Sequence, residues 1–138
     1  MDQPATLDAL QEVLEPGGGV AIVTDHEWMV RGQAAWHAAV YEVAERYLDD
    51  LPTREDPAEV EYEDPWTEML ADHGFRDVTE VKIPLAREWS TDEIVDYVFS
   101  LSYCSPATFG DEKDAFEMAL RERLAELCGG PFSQETDV

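Results

Sequence analysis

Apolar positions fall into two periods along the chain, and the switches between them predict the elements. From Pro4 to Leu14, Leu7, Leu10, Val13 and Leu14 share one face of a helix that Pro16-Gly17-Gly18-Gly19 ends. Val20-Ala21-Ile22-Val23 is an unbroken apolar run, the pattern of a strand covered on both faces in a parallel sheet. A loop over Thr24–Gly32 follows. The helical period returns from Gln33 to Leu48, with Trp36, Ala39, Val40, Val43, Ala44 and Tyr47 as its stripe. Residues 49–64, acidic and proline-bearing, predict a solvated loop.

A shorter helix is expected over Pro65–His73, with Gly74 as its C-terminal stop. Val81, Ile83 and Leu85 alternate, placing a strand over about Val78–Leu85. Ser90 and Glu93 have the spacing of a capping box ahead of Ile94, Val95, Val98 and Leu101. Ser105-Pro106 marks a break. The last helix spans Asp111–Leu127, with Phe116, Leu120, Leu124 and Leu127 on one side, and Gly129-Gly130-Pro131 stops it. Phe132–Val138 begins an extended segment. Alternating helices and strands predict an α/β fold, but two strands and the start of a third make a sheet too small to stand alone.

Charge changes this picture. There are 32 acidic residues against nine basic ones, a net charge of −23, and Lys82 and Lys113 are the only lysines. Such an excess disfavours nucleic acid and anionic membrane as partners and opposes compaction by self-repulsion. The acids are spread along a chain with clear apolar periodicity, which argues against disorder. They fit a halophilic surface, because at molar salt the Debye length falls to about 3 Å and the repulsion is screened. Cys104 and Cys128 have no CxxC spacing and read as reduced core residues. The first ten residues have neither the basic region nor the apolar run of a signal peptide, and no apolar stretch is long enough to span a bilayer, so a cytoplasmic location is expected.

The segment LQEVLEPGGGVAIV, a helix running through Pro-Gly-Gly into an apolar strand, resembles the approach to strand five of class I SAM-dependent methyltransferases. The stretch EDPWTEMLADHGFRDVTEVKIPLAREWSTDEIVDYVFSLSYCSPATFG is similar to the C-terminal pattern of the methyltransferase type 11 group, with its "GF" helix end, strand, and Trp-Ser-Thr-Asp helix start. The resemblance covers essentially the whole chain. It implies the C-terminal portion of a Rossmann-like fold, an incomplete sheet flanked by helices, whose final strand would lie antiparallel between strands five and six. It also implies that Met1 corresponds to an internal methionine of the family and that Phe132–Val138 only begins the last strand.

Family members hold SAM on a glycine-rich loop after strand one and an acid ending strand two. Neither is found here. Gly17-Gly18-Gly19 precedes its strand and reads as a turn. The cofactor SAM therefore belongs to the complete family fold, and none is expected to bind this chain alone.

Ligands in open α/β sheets lie beyond the C-terminal ends of the strands, which directs attention to the loop after Val23. His26 is a candidate general base there or a surface histidine. Trp28 and Met29 are candidates for a wall against the methyl acceptor, with loop packing as the alternative. Tyr97 and Tyr103 could line a lid. Trp36, Tyr41, Tyr47, Trp66 and Trp89 read as packing, and His37 and His73 form no metal-ligand set. The implied partners are a small-molecule methyl acceptor and an N-terminal half or a second copy of the chain. An acidic, non-catalytic interaction module or a gene remnant retaining the scaffold is the competing reading.

Overall fold

The computed structural model describes residues 3–24, 27–54 and 65–138, Pro65 by its backbone alone. The chain divides into two compact units. One comprises the described residues of 1–24 and 61–83, the other those of 25–60 and 84–138.

The smaller unit holds helix α1 (Gln3–Val13), helix α4 (Pro65–Asp72) and irregular segments. Leu7 and Leu70 are its buried apolar side chains. Outside them, Asp8 on α1 and His73 after α4 approach within 2.6 Å through Oδ1 and Nδ1. Gly74 terminates α4 as expected. Its φ of +82° lets its own N–H bond the Ala71 carbonyl and the Phe75 N–H bond the Leu70 carbonyl, both at 3.0 Å.

Two strand expectations fail in this unit. Val20–Val23 is not a strand, and Val23 is 80% exposed. An apolar run becomes a strand only where a neighbour takes its backbone groups, and the described residues offer it none. Val78–Ile83 is likewise irregular, with Val81 and Ile83 exposed. Of the alternating trio, Leu85 alone falls in a strand.

The larger unit carries α2 (Trp28–Arg31), α3 (Ala35–Ala44), β1 (Pro84–Trp89), α5 (Thr91–Ser100), α6 (Pro106–Phe109), α7 (Lys113–Leu127) and β2 (Phe132–Asp137), with 3-10 turns flanking α6. Thus α2 forms inside the expected loop, and α3 is shorter than its apolar stripe. α5 starts as its sequence dictates: the Glu93 N–H donates to Ser90 Oγ at 3.2 Å and the Ser90 N–H to Glu93 Oε2 at 2.8 Å. Ser105 caps α6 by accepting the Thr108 N–H on Oγ at 3.3 Å, with Pro106 at its first position. α3 and α5 both pack on α7, and Val40, Val43, Ile94, Val98, Phe116, Leu120 and Leu124 are fully buried among them. The two cysteines part company. Cys104 is buried in this core, but Cys128 is exposed, contrary to its core assignment, because it follows the last turn of α7.

The architecture is mixed helix and strand, and its sheet is antiparallel rather than parallel. β1 and β2 pair over their full lengths, from Pro84 opposite Asp137 to Trp89 opposite Phe132, so Phe132–Asp137 is a paired strand. Such a ribbon is marginal alone and needs an apolar anchor. Trp89 and Phe132 supply it at one end, where both are buried in the core. Beside them the Trp89 Nε1–H donates to Gln134 Oε1 at 2.7 Å, and the Trp36 Nε1–H donates to the Ser133 carbonyl at 3.0 Å.

Candidate functional site

The residues singled out in the loop after Val23 lie at the start of the larger unit. His26 is outside the described residues. Trp28 and Met29 open α2 and are buried, Trp28 with 2% exposure. The indole of Trp28 is the hub of an aromatic cluster. Tyr97 of α5 stacks on it, with ring centroids 4.7 Å apart and planes 23° from parallel. His37 stacks at 5.0 Å and 24°, Trp36 tilts against it at 4.6 Å, and Trp89 meets it edge-on at 5.9 Å. Two candidates from distant parts of the chain, Trp28 and Tyr97, are therefore brought into direct contact. Tyr103 is half-buried, its ring packed against the same core. Its hydroxyl is buried without a hydrogen-bond partner among the described residues.

His37 is the residue that sequence reasoning set aside too early. It is 4% exposed. Ala34 stands in the N-cap place of α3 with no side-chain acceptor, so only the return half of a capping box is present, in which Nδ1 of His37 accepts the Ala34 N–H at 3.2 Å. The signal was a titratable side chain three residues into a helix whose cap is alanine. Gly32 makes the approach possible. A Cβ there would overlap both Nδ1 of His37 and the Trp28 carbonyl.

Arg54, assigned to a solvated loop, also belongs to this site. Its Nη1 donates to the Met29 carbonyl at 2.7 Å and its Nη2 to the Gly32 carbonyl. The guanidinium thus takes carbonyls left open where α2 ends. Burial, followed by the charge of Arg54, drives the His37 pKa down to about 4, against a smaller opposing effect of the Gly32 backbone. Burial, followed by the charge of Glu27, pushes the Cys104 thiol up to about 12.

Chemically, the cluster is an apolar aromatic body with a buried, neutral histidine packed against Trp28 and Trp36. Cys104 is held as a thiol and is no nucleophile. No group of three or more His, Cys, Asp or Glu side chains among the described residues is arranged to hold a metal ion. A groove of about 410 Å³ lies elsewhere in this unit, between the start of α5 and the Gly129–Pro131 turn, and Glu88, Trp89 and Glu93 are among its lining. None of the sequence candidates among the described residues lines it. Among the described residues, no helix is long and apolar enough to cross a membrane. No protein-family model, no curated protein and no solved structure matches this chain.

Proposed function

We propose that this chain is the acceptor-side portion of a class I SAM-dependent methyltransferase of the type 11 kind, with its carboxylate-rich surface adapted to high salt. The observation that carries the reading is the β1–β2 ladder. The resemblance implies a final strand lying antiparallel between strands five and six. Of these two pairings the one with strand six is matched, as β1, which holds the Leu85 end of the expected strand six, pairs antiparallel with β2 across α5, α6 and α7. The Trp89-Ser90-Thr91-Asp92 helix start adds to it, because these residues form the strand end and cap that the motif requires.

On this reading the Rossmann-like sheet is completed by a half bearing the glycine-rich loop, and SAM binds that half. Methyl transfer is an in-line displacement that gains mainly from alignment and exclusion of water. The packed Trp28–Tyr97 body supplies a rigid, dry support beneath the methyl acceptor rather than a catalytic group. His26 remains the candidate base.

The test is calorimetry in molar potassium chloride, titrating SAM into the chain, into a separately produced SAM-binding half of a type 11 methyltransferase, and into the mixture. The expected result is no heat with the chain at micromolar concentration and tighter binding in the mixture than in the other half alone. One-to-one binding by the chain itself, or two halves that do not associate, would overturn the reading.

A further inference from the structure

The α2–α3 turn contains a competition for hydrogen bonds that a single proton can reverse. Nδ1 of His37 accepts the Ala34 N–H at 3.2 Å, so the neutral ring carries its proton on Nε2. The same Nδ1 lies against the Gly32 backbone, close enough that a Cβ on Gly32 would overlap it. The Gly32 carbonyl is already held by Nη2 of Arg54, whose Nη1 holds the Met29 carbonyl. Around this group, Trp28 stacks on the imidazole at 5.0 Å, and Trp36 meets it edge-on with centroids 3.9 Å apart. Arg54 is the charged group that bears on His37, and Tyr41 and Glu42 are the groups that bear on Arg54. Tyr41 is itself tied to this segment, its hydroxyl donating to the Pro52 carbonyl at 2.8 Å.

We propose that His37 and Arg54 form a proton-operated latch. A proton taken from solvent onto Nδ1 turns that atom from acceptor to donor, frees the Ala34 amide, and sets a second cation against Arg54 at the Gly32 carbonyl. With the ring neutral, both ends of the turn are satisfied: Ala34 by imidazole, and Met29 and Gly32 by guanidinium. With the ring charged, one amide loses its acceptor, and two cations contest one carbonyl inside an apolar cluster. Withdrawal of Arg54 relieves the contest for the carbonyl, leaves the Ala34 amide to solvent, and unpins the segment over residues 51–54 from α2. The low proton affinity of His37 sets the range of operation in mild acid.

The experiment is amide hydrogen exchange by NMR on the full chain in molar potassium chloride between pH 7 and 4.5, with rates corrected for the intrinsic effect of pH. Protection at Ala34 is expected to fall roughly tenfold or more over this range while α7 amides stay protected. His37→Asn keeps a short acceptor that does not titrate, and its Ala34 protection is expected to stay flat. Arg54→Gln removes the opposing cation, so the fall is expected at higher pH than in the parent. Unchanged protection in the parent, an equal fall in His37→Asn, or a fall only together with α7 would overturn the proposal. If His37→Asn does not fold, the direction of the Arg54→Gln displacement decides: no displacement, or one to lower pH, overturns it.

Discussion

Consider replacing Gln134 with leucine. Gln134 is 7% exposed on β2, and its Oε1 takes the indole proton of Trp89, which is 5% exposed, over 2.7 Å. Leucine keeps much of the volume and removes the acceptor, so the Trp89 Nε1–H stays buried without a partner. That loss costs about 1–3 kcal/mol. At the midpoint, about 2 kcal/mol, the folded-to-unfolded ratio drops roughly thirtyfold. Trp89→Phe makes the complementary fault, stranding the Gln134 oxygen and also thinning the Trp28–Tyr97 cluster that Trp89 meets edge-on at 5.9 and 5.3 Å. It should cost more than Gln134→Leu. The double variant removes both polar groups, so its loss should fall short of the sum of the single losses by about 1–2 kcal/mol. Urea unfolding of the four proteins in molar potassium chloride, followed by far-ultraviolet dichroism, gives this cycle directly. A Gln134→Leu protein as stable as the parent, or strict additivity in the double variant, would show that the bond does not anchor the ribbon.

Other consequences can be measured as simply. Melting temperature should rise steeply from low to molar potassium chloride, because screening reduces repulsion within a chain of net charge −23, and a flat profile would separate that charge from salt adaptation. Iodoacetamide at pH 7.5 should modify the exposed Cys128 alone, since Cys104 is buried and its thiol is pushed up to about 12; mass spectrometry of the digest would reveal any label on Cys104. His37 adds a pH dependence of definite sign. Its folded pKa of about 4 lies below the ordinary 6.5, so between these values the unfolded chain binds the extra proton and stability falls as pH falls. From pH 7 to 5 the contribution is up to about 2 kcal/mol, read as the difference in urea stability between the parent and His37→Asn; identical profiles would refute it.

What was legible in the sequence is what neighbours along the chain decide. The helices α1, α3, α5 and α7, the Ser90–Glu93 cap and the Gly74 stop depend on residues within a turn or two of one another, and each lies near where the sequence puts it, although Val13 of the α1 stripe is exposed and α3 stops short of Tyr47. Strands depend on remote partners. Val20–Val23 has the composition of a buried strand and no strand partner among the described residues, whereas Pro84–Trp89 reads poorly, with proline, arginine and glutamate, yet pairs because β2 meets it. The site was half legible for the same reason. Large aromatics announced Trp28 and Tyr97, but nothing local announces that His37 is sealed beneath Trp28 or that Arg54 reaches back to α2. A charged residue in an acidic, proline-bearing stretch looks solvated until the carbonyls it serves are known.

The anchor between Trp89 and Gln134 joins residues 45 positions apart, with α5, α6 and α7 between them. Closing so long a loop costs more entropy than packing α5 on α7, which lie nearer in sequence, so the ribbon is expected to close after that helix pair. α5 and α7 can assemble on one another first, and β1 and β2 then zip from the Trp89–Phe132 end outward. Variants at Gln134 should therefore act chiefly on how fast the protein unfolds, and those at Leu120 or Phe116 chiefly on how fast it folds.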